Sequence, residues 1–255
     1  MITKKQIKLI HSLGLRKYRL REKLYVAEGP KLVGELLDAG YSPAAIFATN
    51  DWKSRHRKVF EEDSVINVLD DRELSSASLQ QHPSQVLALF PIMEHVLPDD
   101  LGTDHLVLAL DGIQDPGNMG TICRIADWFG IEDIVCSNET ADVYNPKAVQ
   151  ATMGAIARVR VHYCDLADCL VNARDHGVPV YGTLLDGGNI YDSELSMNGI
   201  IVMGNEGNGI SGPVRSCVTQ RLLIPNYPTG RITTESLNVA IATAITVAEF
   251  RRRRV

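Results

Sequence analysis

The chain has 255 residues, 45% apolar and 22% charged, with 26 basic against 31 acidic side chains, a balance that supports a packed core and excludes wholesale disorder. Its five cysteines are odd in number and include no Cys-x-x-Cys pair, which fits reduced thiols better than disulfides or a zinc site. With no apolar run near the roughly 20 residues of a spanning helix and no leader-like start, the expectation is a soluble cytoplasmic protein with no membrane and no metal, of one or two domains.

Residues 1–31 hold Lys4, Lys5, Lys8, Arg16, Lys17, Arg19, Arg21, Lys23 and Lys31 against Glu22 and Glu28, a balance of +7; since the whole chain is at −5, the remainder carries −12. A basic arm on an acidic body points to a polyanion, with Tyr18 and Tyr25 able to stack on bases. A solvated amphipathic helix would show the same charges. Ile7, Ile10 and the neighbouring Leu13 are spaced for one helical face. Pro30 opens a second helix with Leu32, Val33, Leu36 and Leu37 as its stripe and Gly40 as its stop. Strand-like runs at Ala45–Ala48, Ser64–Leu69 and Gln85–Phe90 complete a small α/β unit. The punctuation of Pro91–Gly102 reads as a linker, so the expected domains are residues 1–95 and 105–255, joined by 96–104.

The second block restarts with His105–Asp111, a continuous apolar run of the buried parallel-strand type. Asp133–Ser137, Arg158–Tyr163, Pro179–Leu184, Ile200–Gly204 and Arg221–Pro225 are further strand candidates, with helical patterns between most of them and a last helix over Glu235–Arg252. This alternation predicts an α/β fold with a mostly parallel sheet covered on both faces, and a ligand beyond the carboxyl ends of its strands.

Three loops at those ends are unusual. After the first strand, Ile122, Ile125, Ala126 and Phe129 form a buried helical stripe, while Gly117, Gly120 and Arg124 project away from it: a track bare of side chains, closed by a guanidinium. Close helix packing, with Arg124 paired to Asp127, would explain the same residues. The fifth strand ends in Gly204-Asn205-Glu206-Gly207-Asn208-Gly209, the reverse of the dinucleotide spacing, which disfavours a nucleotide-binding oxidoreductase. Glu206 could orient a polar substrate group or cap backbone donors. The sixth strand runs through Ile224-Pro225 to Ser236-Leu237-Asn238, where Ser236 and Asn238 are placed to cap a helix with Leu237, Ile241, Ala244, Ile245 and Ala248 on its apolar side. Arg251–Arg254 complement that helix's dipole. No histidine lies in these loops and no Gly-x-Ser-x-Gly elbow exists, so histidine-based nucleophilic hydrolysis has little support.

Taken together and in order, Asn118-x-Gly120-x-x-x-Arg124, Met203-Gly-x-Glu206-Gly207, and Ile224-Pro225 with Ser236-Leu237-Asn238-Val239 resemble the SpoU (TrmH) family of RNA ribose methyltransferases, as do Tyr144-Asn145-Pro146-Lys147 and Met153-Gly154-Ala155. The likeness covers about residues 105–252. Residues 3–40, notably Lys31 after Ala27-Glu28-Gly29, are similar to the family's ribosomal-protein-like substrate-binding domain. The resemblance implies a trefoil knot in the C-terminal parallel-sheet domain, a homodimer with the active site at its interface, and S-adenosylmethionine as cofactor. By position it implies cofactor contacts at Gly204, Ile224, Leu237 and Thr183. Its catalytic set is Arg124, acting electrostatically on a ribose 2′-hydroxyl, with Asn118, Glu206, Ser236 and Asn238. RNA, favoured as ribosomal RNA, would meet Lys4, Lys5, Arg16, Lys17, Arg19 and Lys31. Alternatives are a transfer-RNA 2′-O-methyltransferase and a non-catalytic RNA-binding member of the fold. One departure is the stretch between Pro225 and Ser236, several residues longer than is usual in the family, which would bear on the methionine end of the cofactor or add an RNA contact.

Overall fold

A computed structural model describes residues 1–56, 65–228, 231–232 and 234–252. The chain forms two compact units, one of Met1–Glu94 with Asp142–Arg158, the other of His95–Ala141 with the chain from Val159 onward. Among the described residues no helix is long and apolar enough to cross a membrane.

The first unit runs α1 (Lys4–Ser12), α2 (Arg16–Glu22), β1 (Leu24–Glu28), α3 (Pro30–Asp38), β2 (Ala45–Ala48), α4 (Asn50–Arg55), β3 (Ile66–Val68), α5 (Asp71–Ala77) and β4 (Val86–Pro91). Its four strands lie in the order β1-β4-β2-β3, with only β2 and β3 parallel. Capping boxes start α1 and α5, Thr3 with Gln6 and Asp70 with Glu73, each satisfying two orphan amides. Ile10, Leu13, Val26, Phe47, Leu87 and Leu89 share one core. Strand β1 carried no alternation to announce it because Tyr25, Val26, Ala27 and Glu28 are all buried. Ser64, expected to open β3, lies outside the described residues.

Two residues expected to meet RNA are spent internally. Tyr25 is 1% exposed, its ring centroid 5.9 Å from that of Phe90 and 4.9 Å from that of Tyr144. Arg19 is 2% exposed: its guanidinium donates to Asp142 Oδ2 at 2.6 Å and to the Leu13 carbonyl at 2.7 Å. Buried and paired with Asp142, this charge is out of reach of a phosphate, so Arg19 is a structural residue rather than one of the RNA contacts.

In the second unit β5 (Leu106–Asp111), α6 (Pro116–Trp128) and β6 (Asp133–Ser137) come first; α7 (Pro146–Thr152) then packs on β1 in the first unit. The chain continues through β7 (Arg160–Cys164), α8 (Leu166–Asp175), β8 (Val180–Asn189), β9 (Gly199–Gly204), α9 (Gly212–Arg215), β10 (Gln220–Leu223) and α10 (Val239–Arg252). All six strands are parallel, in the order β10-β8-β9-β5-β6-β7. Every residue of β5 and β6 is buried, which explains their unbroken apolar runs. The chain proceeds from β5 toward one edge, then returns to build β8 and β9 on the other side of β5. Asp111 ends β5 opposite Gly204 at the end of β9, so the two loops emerge side by side at a topological switch point.

Helices α6 and α10 pack on each other, and this changes both expected faces. On α6 the buried residues are Met119, Gly120, Ile122, Cys123 and Ala126, while Ile125 and Phe129 are only half-buried. On α10 the inward side is Val239, Ala240, Thr243, Thr246, Val247, Glu249 and Phe250. The stripe expected to be buried points the other way: Leu237 and Ile241 are 49% and 54% exposed, and Ala244, Ile245 and Ala248 are half-buried. Helix α10 begins at Val239 rather than Glu235 because the Asn238 side chain takes the capping position.

Candidate active site

Asp115 caps α6 by accepting from the Asn118 amide at 2.9 Å, with Pro116 at the first helical position. This sets the Asn118 side chain at the β5 end of the sheet. Glu206 sits in a five-residue loop held by Asn205, whose backbone pairs with Gly209 at 2.9 Å in both directions. The Asn205 carboxamide accepts from the amides of Gly207 and Asn208, both at 2.9 Å, and donates to the Gly112 carbonyl at 2.6 Å. Asp111 braces the same loops by accepting from the Ser211 amide at 2.7 Å. Gly204 is required here: a Cβ would lie 2.4 Å from backbone atoms of Gly209 and Ile210.

The three loops meet in one polar chain. Asn118 Nδ2 donates to Glu206 Oε1 at 2.9 Å, and Asn238 Nδ2 donates to Asn118 Oδ1 at 3.1 Å. Asn238 Oδ1 in turn accepts from the amides of Ala240 and Ile241, at 3.0 and 3.3 Å. The donor direction therefore runs unbroken from the positive end of α10, through two carboxamides, to the Glu206 carboxylate. Each carboxamide spends one N–H in this chain and keeps one for another partner.

The other expected site residues are placed differently. Arg124 is exposed and, among the described residues, has no hydrogen bond or ion pair, so the pairing with Asp127 is not formed. Helical geometry puts it roughly 9 Å further along α6 than Asn118 and about 120° around the axis, off the polar chain. Ser236 precedes α10, is exposed, and does not cap it. The Thr183 hydroxyl donates to the Val202 carbonyl at 3.0 Å, which leaves only its lone pairs for a ligand. In the long loop Asn226 Nδ2 donates to the Arg231 carbonyl at 2.9 Å and Tyr227 is 90% exposed; Thr229 and Gly230 lie outside the described residues, as do Arg253 and Arg254. Lys4, Lys5, Arg16, Lys17 and Lys31 are all exposed in the first unit. Asn205 was not singled out from sequence, although its place before Glu206 in a glycine turn was a usable signal.

An adenosine-bearing sulfonium group fits the donor set at these loops. The backbone polar groups of Ile224 and Leu237 have no protein partner among the described residues, so they remain available to the edge of a base.

Residues 105–248 match the model of the SpoU rRNA methylase family, and residues 4–88 match that of the MRM3-like substrate-binding domain. The chain therefore belongs to the SpoU rRNA methylase family and is an RNA methyltransferase. Among its relatives, the 23S rRNA (guanosine(2553)-2′-O)-methyltransferase RlmP of Bacillus subtilis is 30% identical over 94% of this chain and 93% of its own length. A TrmH-family protein structure from Porphyromonas gingivalis is 43% identical, with a TM-score of 0.88 over 99% of both chains. The AdoMet-bound rRNA methyltransferase from Sinorhizobium meliloti is 27% identical, with a TM-score of 0.88 over 100% of this chain and 97% of that one.

Proposed function

We infer that this chain transfers a methyl group from S-adenosylmethionine to a ribose 2′-hydroxyl of ribosomal RNA, acting in the cytoplasm as a homodimer with a knotted C-terminal segment. The observation that carries the reading is the polar chain Glu206–Asn118–Asn238, which draws the three family loops to one point.

The cofactor, when bound, supplies an electrophilic methyl on sulfur, and Gly204, Ile224 and Leu237 would hold it through their backbones, with Thr183 beside them. A ribose hydroxyl is a weak nucleophile at neutral pH, so the chain must stabilise the charge that develops on its oxygen. Arginine does not serve as an ordinary base, its pKa lying above about 12. Arg124, which has no side-chain partner among the described residues, instead offers its guanidinium to the phosphate next to the target ribose and to the developing alkoxide. The spare N–H of Asn118 orients the ribose, and Ser236 and Asn238 shape the loop around it.

Support for the twofold pair comes from the outward stripe of α10 and from Trp128, 84% exposed at the end of α6. Apolar patches of this kind mark interaction sites. The exposed lysines and Arg16 of the first unit supply a sequence-independent attraction for RNA. Mapping ribose methylation in total RNA from cells with and without the protein tests the reading: one or a few ribosomal sites should disappear. Loss confined to transfer RNA, or no loss at all, would overturn the assignment.

A further inference from the structure

We propose that Arg251, which belongs to none of the loops described above, is a positioning residue for methyl transfer that sets the axial register of α10 on α6. The proposal rests on the site reading given above. From sequence, Arg251 and its neighbours serve the dipole of their own helix. The structure gives the two adjacent arginines different partners. Arg252 turns back on α10, its Nε and Nη2 each donating to Glu249 at 2.9 Å. Arg251 reaches across to the end of α6, where Nε donates to the Phe129 carbonyl at 2.9 Å and Nη2 to the Gly130 carbonyl at 3.1 Å. Carbonyls at a helix C-terminus lack intrahelical partners and carry the negative end of the dipole, so a bidentate cation is well suited to them.

The same two helices are joined at their other ends by the bond from Asn238 to Asn118. Thirteen residues separate Asn238 from Arg251, roughly 20 Å of helix, and eleven separate Asn118 from Phe129, roughly 17 Å. The helices therefore run parallel, pinned at both ends, with the difference in length taken up by the arginine side chain. Between the pins several of their buried residues are small: Gly120, Cys123 and Ala126 on α6, and Ala240 and Thr243 on α10. Small side chains interdigitate weakly and resist sliding poorly, so polar pins must fix the register. Sliding or tilting α10 would move Asn238 off Asn118 and carry Leu237 with it. Misplacement of about 1 Å at a reacting centre can cost about a hundredfold in rate.

The test uses the full chain with Arg251→Ala and Arg251→Lys, the second keeping the charge but only one of the two bonds at a time. Hydrogen exchange at the amides of Ala240 and Ile241, which Asn238 caps, should accelerate about tenfold or more in Arg251→Ala and less in Arg251→Lys. The kcat for methyl transfer should fall about 10- to 100-fold in Arg251→Ala, with partial recovery in Arg251→Lys. In an Asn238→Ala background, adding Arg251→Ala should change kcat less than about twofold, because the pin then has nothing to position. Wild-type exchange at those amides in Arg251→Ala, or a full multiplicative loss of kcat in the Asn238→Ala background, would overturn the proposal. Accelerated exchange with normal kcat in Arg251→Ala, Asn238→Ala and Asn118→Ala alike would refute the site reading while leaving the clamp standing.

Discussion

Replacing Asn118 by aspartate swaps a donor for an acceptor at the centre of the polar chain without changing its shape. The new carboxylate can still accept from Asn238, but toward Glu206 it sets two negative charges where a hydrogen bond of 2.9 Å had been. In a water-like dielectric that separation costs about 1.4 kcal/mol before screening by salt. The lost charge-assisted bond adds about 1.5–3 kcal/mol. Together these predict a fall of about two to three orders of magnitude in methyl transfer at neutral pH. Stability should fall by less than this sum, since a negative charge in the first turn of α6 gains about 0.3–1 kcal/mol from the helix dipole. Two features separate this account from simple damage. Lowering the pH from about 8 to about 6 should return part of the activity, because a proton shared between the carboxylates rebuilds the bond. Adding Glu206→Gln to Asn118→Asp should also return part of the activity, since the amide introduced at 206 donates to the carboxylate introduced at 118, although the N–H that orients the ribose stays lost. The assay is transfer of tritiated methyl groups from S-adenosylmethionine to ribosomal RNA across pH. A loss that neither acid nor the second substitution relieves would refute the reasoning.

Two further predictions concern the frame around the site. Burial pushes the Glu28 carboxyl up, against the pull of the Ser78 hydroxyl, the Leu79 amide and His11. The folded chain thus holds this proton to higher pH than the unfolded chain, so the associated stability is present at low pH and lost as pH rises through the folded pKa. Glu28→Gln can still accept from the Leu79 amide and donate to the Ser78 hydroxyl, and as pH rises from acid to neutral the melting temperature of the wild type should fall relative to this variant; a constant difference would contradict the assignment. Ile241→Glu places a charge on the outward stripe of α10 and should convert a dimer into monomers in sedimentation, with loss of methyl transfer but a folded far-UV spectrum. An unchanged sedimentation coefficient would remove α10 from the interface.

The alternation of strands and helices in the C-terminal half was readable because β5, β6 and β9 are buried on both faces and therefore continuously apolar. Asn118, Glu206 and Asn238, which meet in one polar chain, stood out for a different reason, as polar residues at strand ends and helix starts, whereas Arg124 lies in the body of α6 and off that chain. What periodicity could not show is which neighbour covers a helix. Ile241 and Ile245 make a good apolar stripe, yet α10 turns Val239, Thr243, Val247 and Phe250 inward, because α6 accommodates small and β-branched side chains there. Charge counting likewise could not separate Arg19, locked to Asp142, from Lys17, which is exposed and lies 4.9 Å from the Tyr18 ring centroid. The partners of Asn205 were not legible because its three side-chain bonds all go to backbone atoms; only its place in a glycine turn hinted at a bracing role.

In the proposed mechanism the Arg124 guanidinium, which has no partner among the described residues, makes a ribose hydroxyl reactive. The most direct measurement of this step is the rate of methyl transfer to ribosomal RNA by Arg124→Lys and Arg124→Ala at saturating S-adenosylmethionine, beside their melting temperatures. With Arg124 exposed and without a partner among the described residues, both variants should melt with the wild type. Both should lose about a hundredfold or more in kcat, lysine included, because a point charge does not reproduce the planar fork. A wild-type rate in either variant would contradict the account.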